Sequence, residues 1–352
     1  MTDPAPTAAV NTAAAAAPLD LLTVGRIGVD LYANEPNAGF LDPQTFVKSI
    51  GGSPTNVAIA AALLGRRSAV LTKVGSDPFG DYVIAKLQGF GVDTSFVGRH
   101  PTLRTPLAFA AMTPPEDPVL MFYRDPTAPD MTIDAGDTPL EAVRSAAIFW
   151  VSASCLSKEP IVTSTRTMLE TRGRATYTVL DLDYRPMFWA SADDAHASIN
   201  AAIPFVTVAV GNRQECEVAV GSSDPAEAAR RLLGLGVELA IVKMGGEGVL
   251  VATNDGSAVV APTPVDVVCG LGAGDAFGGA LVHGLLNGWE PERTVRYANA
   301  AGAIVAGRLL CSDAMPTAAE IESFQATGVV PVRTASTIPD LGGPFYARVG
   351  EP

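Results

Sequence analysis

The sequence predicts an α/β protein: a mostly parallel sheet covered by helices on both faces, with a small β extension. Two observations carry this. Short β-branched runs alternate with Ala- and Leu-rich helical stretches along most of the chain, and two segments break that rhythm. Of the 352 residues 48% are hydrophobic and 17% charged, an ordinary globular balance with ample material for a core. The length suits one large α/β domain or two ordinary ones.

The elements follow in chain order. Residues 1–18, "MTDPAPTAAVNTAAAAAP", read as a disordered Ala/Pro-rich arm. With no Lys or Arg before Arg26, the arm lacks the basic region of a signal peptide. Strand candidates are Asp20–Gly25, Ser68–Gly75, Ala147–Ser152, Thr176–Asp183, Phe205–Val210 and Glu238–Met244. Helix candidates such as Asn56–Leu64, Ile161–Arg172, Pro225–Leu235 and Pro291–Arg308 follow most of them. The breaks fall at about 30–50 and 104–124. The second holds "TPLAFAAM" and "VLMFYR", a hairpin-like pair across "TPPEDP". Such inserted β pieces suit a lid over an active site, and equally an ordinary surface flap. Residues 19–335 read as one folded domain and 336–352 as an irregular tail.

A formal charge of -13 argues against nucleic acid or an anionic membrane surface as partner. The longest purely apolar run, Val57–Leu64, is too short to span a membrane. Cys155, Cys216, Cys269 and Cys311 lie far apart without metal-type spacing, which fits a reducing compartment. A soluble cytoplasmic protein is the expectation.

Chemistry concentrates in "VVCGLGAGDAFGGALVHGLL", Val267–Leu286. A glycine-rich turn entering a helix offers unpaired N–H groups and a positive dipole end to an anion. Asp275, next to that cradle, could take a proton from an attacking hydroxyl or serve as a helix N-cap. The turn is neither a Walker A loop nor a GxGxxG fingerprint.

"GGSPTNVAIAAALLG" (Gly51–Gly65), "VGSDPFG" (Val74–Gly80) and "GAGDAF" (Gly272–Phe277) together resemble the ribokinase/PfkB family of sugar kinases, from about residue 20 to about 325. The resemblance implies a ribokinase-like three-layer sandwich with a β lid, and an ATP-dependent phosphotransferase. It implies Asp275 as catalytic base, with Gly272, Ala273 and Gly274 as anion hole. "GNRQE" matches an N-x-x-E element that holds Mg²⁺ through water, implying Asn212 and Glu215; a bare reading of Asn212 is a helix N-cap. "KMGGEG" implies a nucleotide loop with Lys243, Gly245 and Gly248, and "YANAAGA" places Asn299 at the adenine. For the sugar it implies Asp30, Gly51, Gly52 and Asn56.

"FYRD" and "DLDYRPMFW" resemble the branch that phosphorylates keto-deoxy sugar acids, implying Arg124 and Arg185 at the acid end. Arginine is the residue for bidentate carboxylate recognition. The implied acceptor is the 6-hydroxyl of 5-dehydro-2-deoxy-D-gluconate. The rivals are 2-dehydro-3-deoxygluconate, a neutral fructokinase or ribokinase substrate, and a non-catalytic sugar sensor on the same fold. One departure stands out: the family's cation-binding aspartate before the anion hole is here Cys269, followed by Gly270 and Leu271, which puts a K⁺ requirement in doubt. Lid strands in this family can pair between protomers, so a homodimer is compatible with the resemblance.

Overall fold

The computed structural model describes residues 18–333 except 36, 112–117 and 176. The expected arm up to residue 17, the expected tail and most of the "TPPEDP" turn lie outside the described residues.

Strands buried on both faces are mostly apolar, and the central ones fit: Leu21–Val24 and Ile148–Ser152 are buried at every position, with Thr23 and Ser152 as their polar residues. They lie in a nine-stranded sheet. Its spatial order is Gly256–Val260, Val249–Thr253, Leu239–Lys243, Val208–Asn212, Thr178–Asp181, Ile148–Ser152, Leu21–Val24, Ser68–Gly75, Val97–His100. All neighbours are parallel except along the first three strands, where Val249–Thr253 pairs antiparallel on both sides. That edge hairpin is absent from the sequence-derived strands; its outer member is short and mostly exposed. The strand expected at Thr176–Asp183 is shorter, Thr178–Asp181.

Alternate strand residues feed two cores. Leu21, Val70, Trp150 and Val208 pack with helices Ser53–Leu63, Pro78–Gly89, Ala273–Leu286, Pro291–Ala306 and Ala318–Thr327. Leu22, Ala69, Phe149 and Ala209 pack with helices Leu140–Ser145, Ile161–Arg172, Ala192–Ala202, Arg213–Val220 and Pro225–Gly234. The expected alternation thus yields three layers.

A second sheet stands beside the first, ordered Phe46–Gly51, Gly28–Ala33, Leu107–Ala111, Val119–Tyr123. Its outer pairs are antiparallel, and Gly28–Ala33 runs parallel to Leu107–Ala111. The two segments that break the sequence rhythm therefore form one sheet. Periodicity shows each piece but not this long-range pairing.

From Leu21–Val24 the chain first builds the strands on one side, Ser68–Gly75 and Val97–His100, then crosses to Ile148–Ser152 on the other. The carboxyl ends beside such a reversal leave a crevice for ligands. Two helices floor it. Phe277, Leu281 and Leu285 bury one face of Ala273–Leu286, each contributing about 1.5–3 kcal/mol. Gly279 lets Ser53–Leu63 come close: a Cβ there would stand 2.3 Å from the Ala60 Cβ. Gly279→Val is expected to destabilise by about 1–3 kcal/mol through overpacking, read as a lower urea midpoint. An unchanged midpoint would show that the helices are free to separate.

Candidate active site

The Ala273–Leu286 helix begins at Gly272, whose φ of 86° suits glycine and where a Cβ would lie 2.7 Å from Cys311 Sγ. Within the turn, the Ala273 N–H donates to Gly270 O at 3.3 Å and the Asp275 N–H to Gly272 O at 3.1 Å. The Gly272 and Gly274 N–H groups take no part in these backbone bonds, which leaves the anion-binding geometry of a helix start available. Cys269 is buried beneath the turn with Tyr32, Ala110 and Cys311, as a packing residue. Its neighbour Cys311 accepts from Tyr32 Oη at 2.8 Å.

Asp275 faces Asn56 across the two-helix contact. Asn56 Nδ2 donates to Asp275 Oδ2 at 2.9 Å, while Asn56 Oδ1 is buried without a partner among the described residues. Pro54 in the first turn, and Gly52 ahead of it with φ 103°, start the Ser53–Leu63 helix where Asn56 can reach the acid. Gly52, Asn56 and Asp275 line a cleft of about 520 Å³ together with Arg26, Asp30, Asp181, Asp183, Arg185, Asn212, Glu215, Lys243 and Gly245. Leu120 and Phe122 of the second sheet form part of its wall.

The cleft gathers more carboxylates than cations, and their pKa values separate accordingly. Burial raises Asp275, helped by the charge of Asp183; hydrogen bonds from Asn56 and Ser53 and the charge of Lys243 oppose it. Burial also raises Asp181, which lies near Asp183, Glu215 and Asp275 and is only partly compensated by Lys243. Burial pushes Asp183 the same way but is outweighed by the Arg26 and Arg185 guanidiniums, which hold it below the usual range. Lys243 is raised: its own desolvation is overcome by Glu215, Asp181, Asp275 and Asp183. A Cβ on Gly274 would meet Lys243 Nζ at 3.4 Å, so the ammonium stands at the mouth of the helix start.

Asn212 and Glu215 form a capping box. Asn212 Oδ1 accepts from the Glu215 N–H at 2.9 Å and Glu215 Oε2 from the Asn212 N–H at 2.6 Å. Glu215 Oε1 is not used in this box. No cluster of three acidic, His or Cys side chains that could hold a metal occurs among the described residues. This donor set fits Mg²⁺ held through water better than direct coordination.

Of the remaining sequence candidates, Gly51 makes room for a neighbour, since a Cβ there would stand 2.0 Å from Asp30 Oδ1. Ala273 follows Gly272 in the turn. Gly248 and Asn299 do not line the cleft. Gly248 lies against the Val260 carbonyl, where a Cβ would come within 2.2 Å, and Asn299 Nδ2 donates to Ala261 O at 3.0 Å. Arg124, expected at the acid end, is not brought into the cleft. Its Nη2 pairs with Asp130 Oδ1 at 2.6 Å, and it lines a neighbouring cavity of about 290 Å³ behind Phe122. The reason is Asp130, whose side chain is fully buried and also accepts the Ile27 N–H at 2.9 Å; a buried carboxylate requires a cation. Arg26, Ser53, Asp181 and Asp183 were not singled out by the sequence reasoning. Their signal was position, directly after strands or at a helix start.

The profile of the pfkB family carbohydrate kinases matches residues 19–318. A 5-dehydro-2-deoxygluconokinase of Geobacillus kaustophilus (strain HTA426) is 33% identical over 314 residues, 87% of this chain and 93% of that protein. The solved PfkB protein from Polaromonas sp. JS666 has a TM-score of 0.77 and 26% identity, over 87% of this chain and 99% of its own. A fructokinase with bound ATP from Xylella fastidiosa has a TM-score of 0.77 at 24% identity, over 88% of this chain and 99% of its own. The fold is the ribokinase-like α/β architecture expected from the sequence. No helix among the described residues is long and apolar enough to cross a membrane.

Asp30 provides a pH test. Burial, then the charge of Asp275, push its carboxyl from 3.8 to about 7 against Tyr32 and Arg26. Between those values the native state keeps a proton that the unfolded chain has released. Its contribution to stability is therefore full below about pH 4 and is lost as pH rises through about 7. Urea midpoints taken across this window should fall less steeply for Asp30→Asn than for wild type. Equal slopes would contradict the shift.

Proposed function

The chain belongs to the pfkB family of carbohydrate kinases, phosphotransferases acting on a sugar hydroxyl, and from that premise we propose an ATP- and Mg²⁺-dependent sugar-acid kinase. Its acceptor is the 6-hydroxyl of 5-dehydro-2-deoxy-D-gluconate and its base is Asp275. The observation that carries this reading is the Asp275–Asn56 pair beside the Gly272–Gly274 helix start, within one cleft.

Asp275 takes the hydroxyl proton as the oxygen attacks the γ-phosphorus and the bond to the β–γ bridging oxygen breaks, releasing ADP; the raised pKa of Asp275 favours holding that proton. The Gly272 and Gly274 amides, with Ala273 in the same turn, and Lys243 receive charge on the transferred phosphoryl oxygens, where fixed dipoles need no reorganisation. Glu215 and Asn212 would hold Mg²⁺ through water, where it would supply positive charge against the ATP phosphates. Gly245 lets the nucleotide phosphates approach the strand end. Asp30 and Asn56 bond the sugar hydroxyls, with Gly51 and Gly52 leaving the space, and Arg185 meets the acid end. Leu120 and Phe122 support a lid reading for the second sheet, since apolar walls exclude water.

The acid is supported by the relative's name together with a cationic wall in a chain of net charge -13. A panel of 5-dehydro-2-deoxygluconate, 2-dehydro-3-deoxygluconate, fructose and ribose with ATP and Mg²⁺ tests it. The highest kcat/KM is expected for the first, and preference for a neutral sugar would refute the acid reading. Asp275→Asn is expected to lower kcat by about 10²–10⁴-fold with sugar KM little changed. Unchanged ADP formation would remove the base assignment. Chelation by EDTA should abolish turnover, and added Mg²⁺ restore it.

A further inference from the structure

We infer that Arg26, and not Arg124, receives the substrate carboxylate together with Arg185. The inference rests on the sugar-acid reading above and identifies the residue that makes it selective.

Arg26 follows the central strand Leu21–Val24 at the reversal of strand order, where ligands of such sheets bind. Its backbone is fixed to the turn that carries the sugar-binding candidates. Thr55 Oγ1 donates to Arg26 O at 2.9 Å, and a Cβ on Gly52 would come within 2.3 Å of the same oxygen. The head group is equally constrained. Arg26 Nε donates to Ser154 Oγ at 3.1 Å, and Nη2 pairs with Asp183 Oδ2. Nη1 has no hydrogen-bond partner among the described residues, and the side chain lines the cleft beside Asp30, Phe122 and Arg185.

Charge bookkeeping on this wall favours the same choice. Arg124 is matched by Asp130. Asp183, by contrast, is shared by two guanidiniums, Arg26 and Arg185, the latter through Nε at 3.1 Å. Two guanidiniums thus meet one carboxylate held below the usual range, while the nearby Asp30 and Asp181 are raised toward their protonated forms. The Phe188 ring carries both Arg26 and Arg124, each Cζ at 4.9 Å from its centre, so the aromatic side chain holds Arg26 in place from the wall side. At the other end of the cleft, Lys243 is surrounded by Asp181, Glu215 and Asp275, which makes that end hostile to the acid. A carboxylate laid against Arg26 Nη1 and the Arg185 fork completes the wall's neutralisation with charge-assisted bonds.

The full-length enzyme would be compared on 5-dehydro-2-deoxy-D-gluconate and on its uncharged primary amide. Arg26→Lys keeps the buried charge but loses the fork, and Arg26→Met combined with Asp183→Asn removes the pair together, so no lone charge is buried. In both variants KM for the acid should rise about 10- to 100-fold while KM for the amide stays near wild type, collapsing the acid preference. A merely structural role would move both substrates alike. Arg124→Lys should move the two together if it moves either. An acid preference kept in the folded Arg26 variants, or collapsing in Arg124→Lys instead, overturns the inference alone. No wild-type turnover of the acid overturns the sugar-acid reading and the inference with it.

Discussion

The site depends on one steric fact: two helices from opposite ends of the chain touch through Gly279 and Ala60. A side chain at residue 279 would drive them apart, because its Cβ would lie within 2.9 Å of the Ala60 and Ala61 backbone as well. Asn56 is one turn from Ala60 on the first helix and Asp275 one turn from Gly279 on the second. Their hydrogen bond of 2.9 Å therefore exists only at this helix spacing. The "GG" of "DAFGGALVH" consequently acts at a distance on the chemistry, although neither glycine touches the cleft.

Given that spacing, electrostatics decides how so many acids coexist. Five carboxylates, Asp30, Asp181, Asp183, Glu215 and Asp275, face Arg26, Arg185 and Lys243 in one cleft. The cations are not spread evenly. Two of them secure Asp183, and the third is drawn on by the other acids. Asp30, Asp181 and Asp275 are left with raised pKa values. An added cation or a transferable proton is thus what the Lys243 end of the cleft lacks, in keeping with a kinase that brings Mg²⁺ with its nucleotide.

Much of this was legible in the sequence, and the reason is that backbone-led features leave local marks. The buried parallel strands are mostly apolar runs, the proposed anion cradle is a glycine cluster, and Asn212 and Glu215 keep capping-box spacing whatever else they do. The second sheet was legible only as two breaks, since its Val29–Leu107 pairing joins segments far apart in the chain. Gly248 and Asn299, expected as nucleotide contacts, lie outside the cleft lining and have structural neighbours, a close carbonyl and Ala261 O. Which partner a side chain chooses is a long-range matter that spacing does not encode.

Arg124 and Arg26 make the same point in opposite directions. Arg124 sits in a motif that invites a substrate role, yet a buried carboxylate six residues on claims it: Asp130 has no solvent to stabilise its charge and already holds the Ile27 amide. Leaving such a charge unpaired costs far more than an exposed ligand contact returns. Arg26 was not singled out in the sequence, and the charge it meets, Asp183, is already served by Arg185. The guanidinium that shares its carboxylate with a second arginine, rather than the one with a buried partner of its own, is the one with capacity left for a substrate anion.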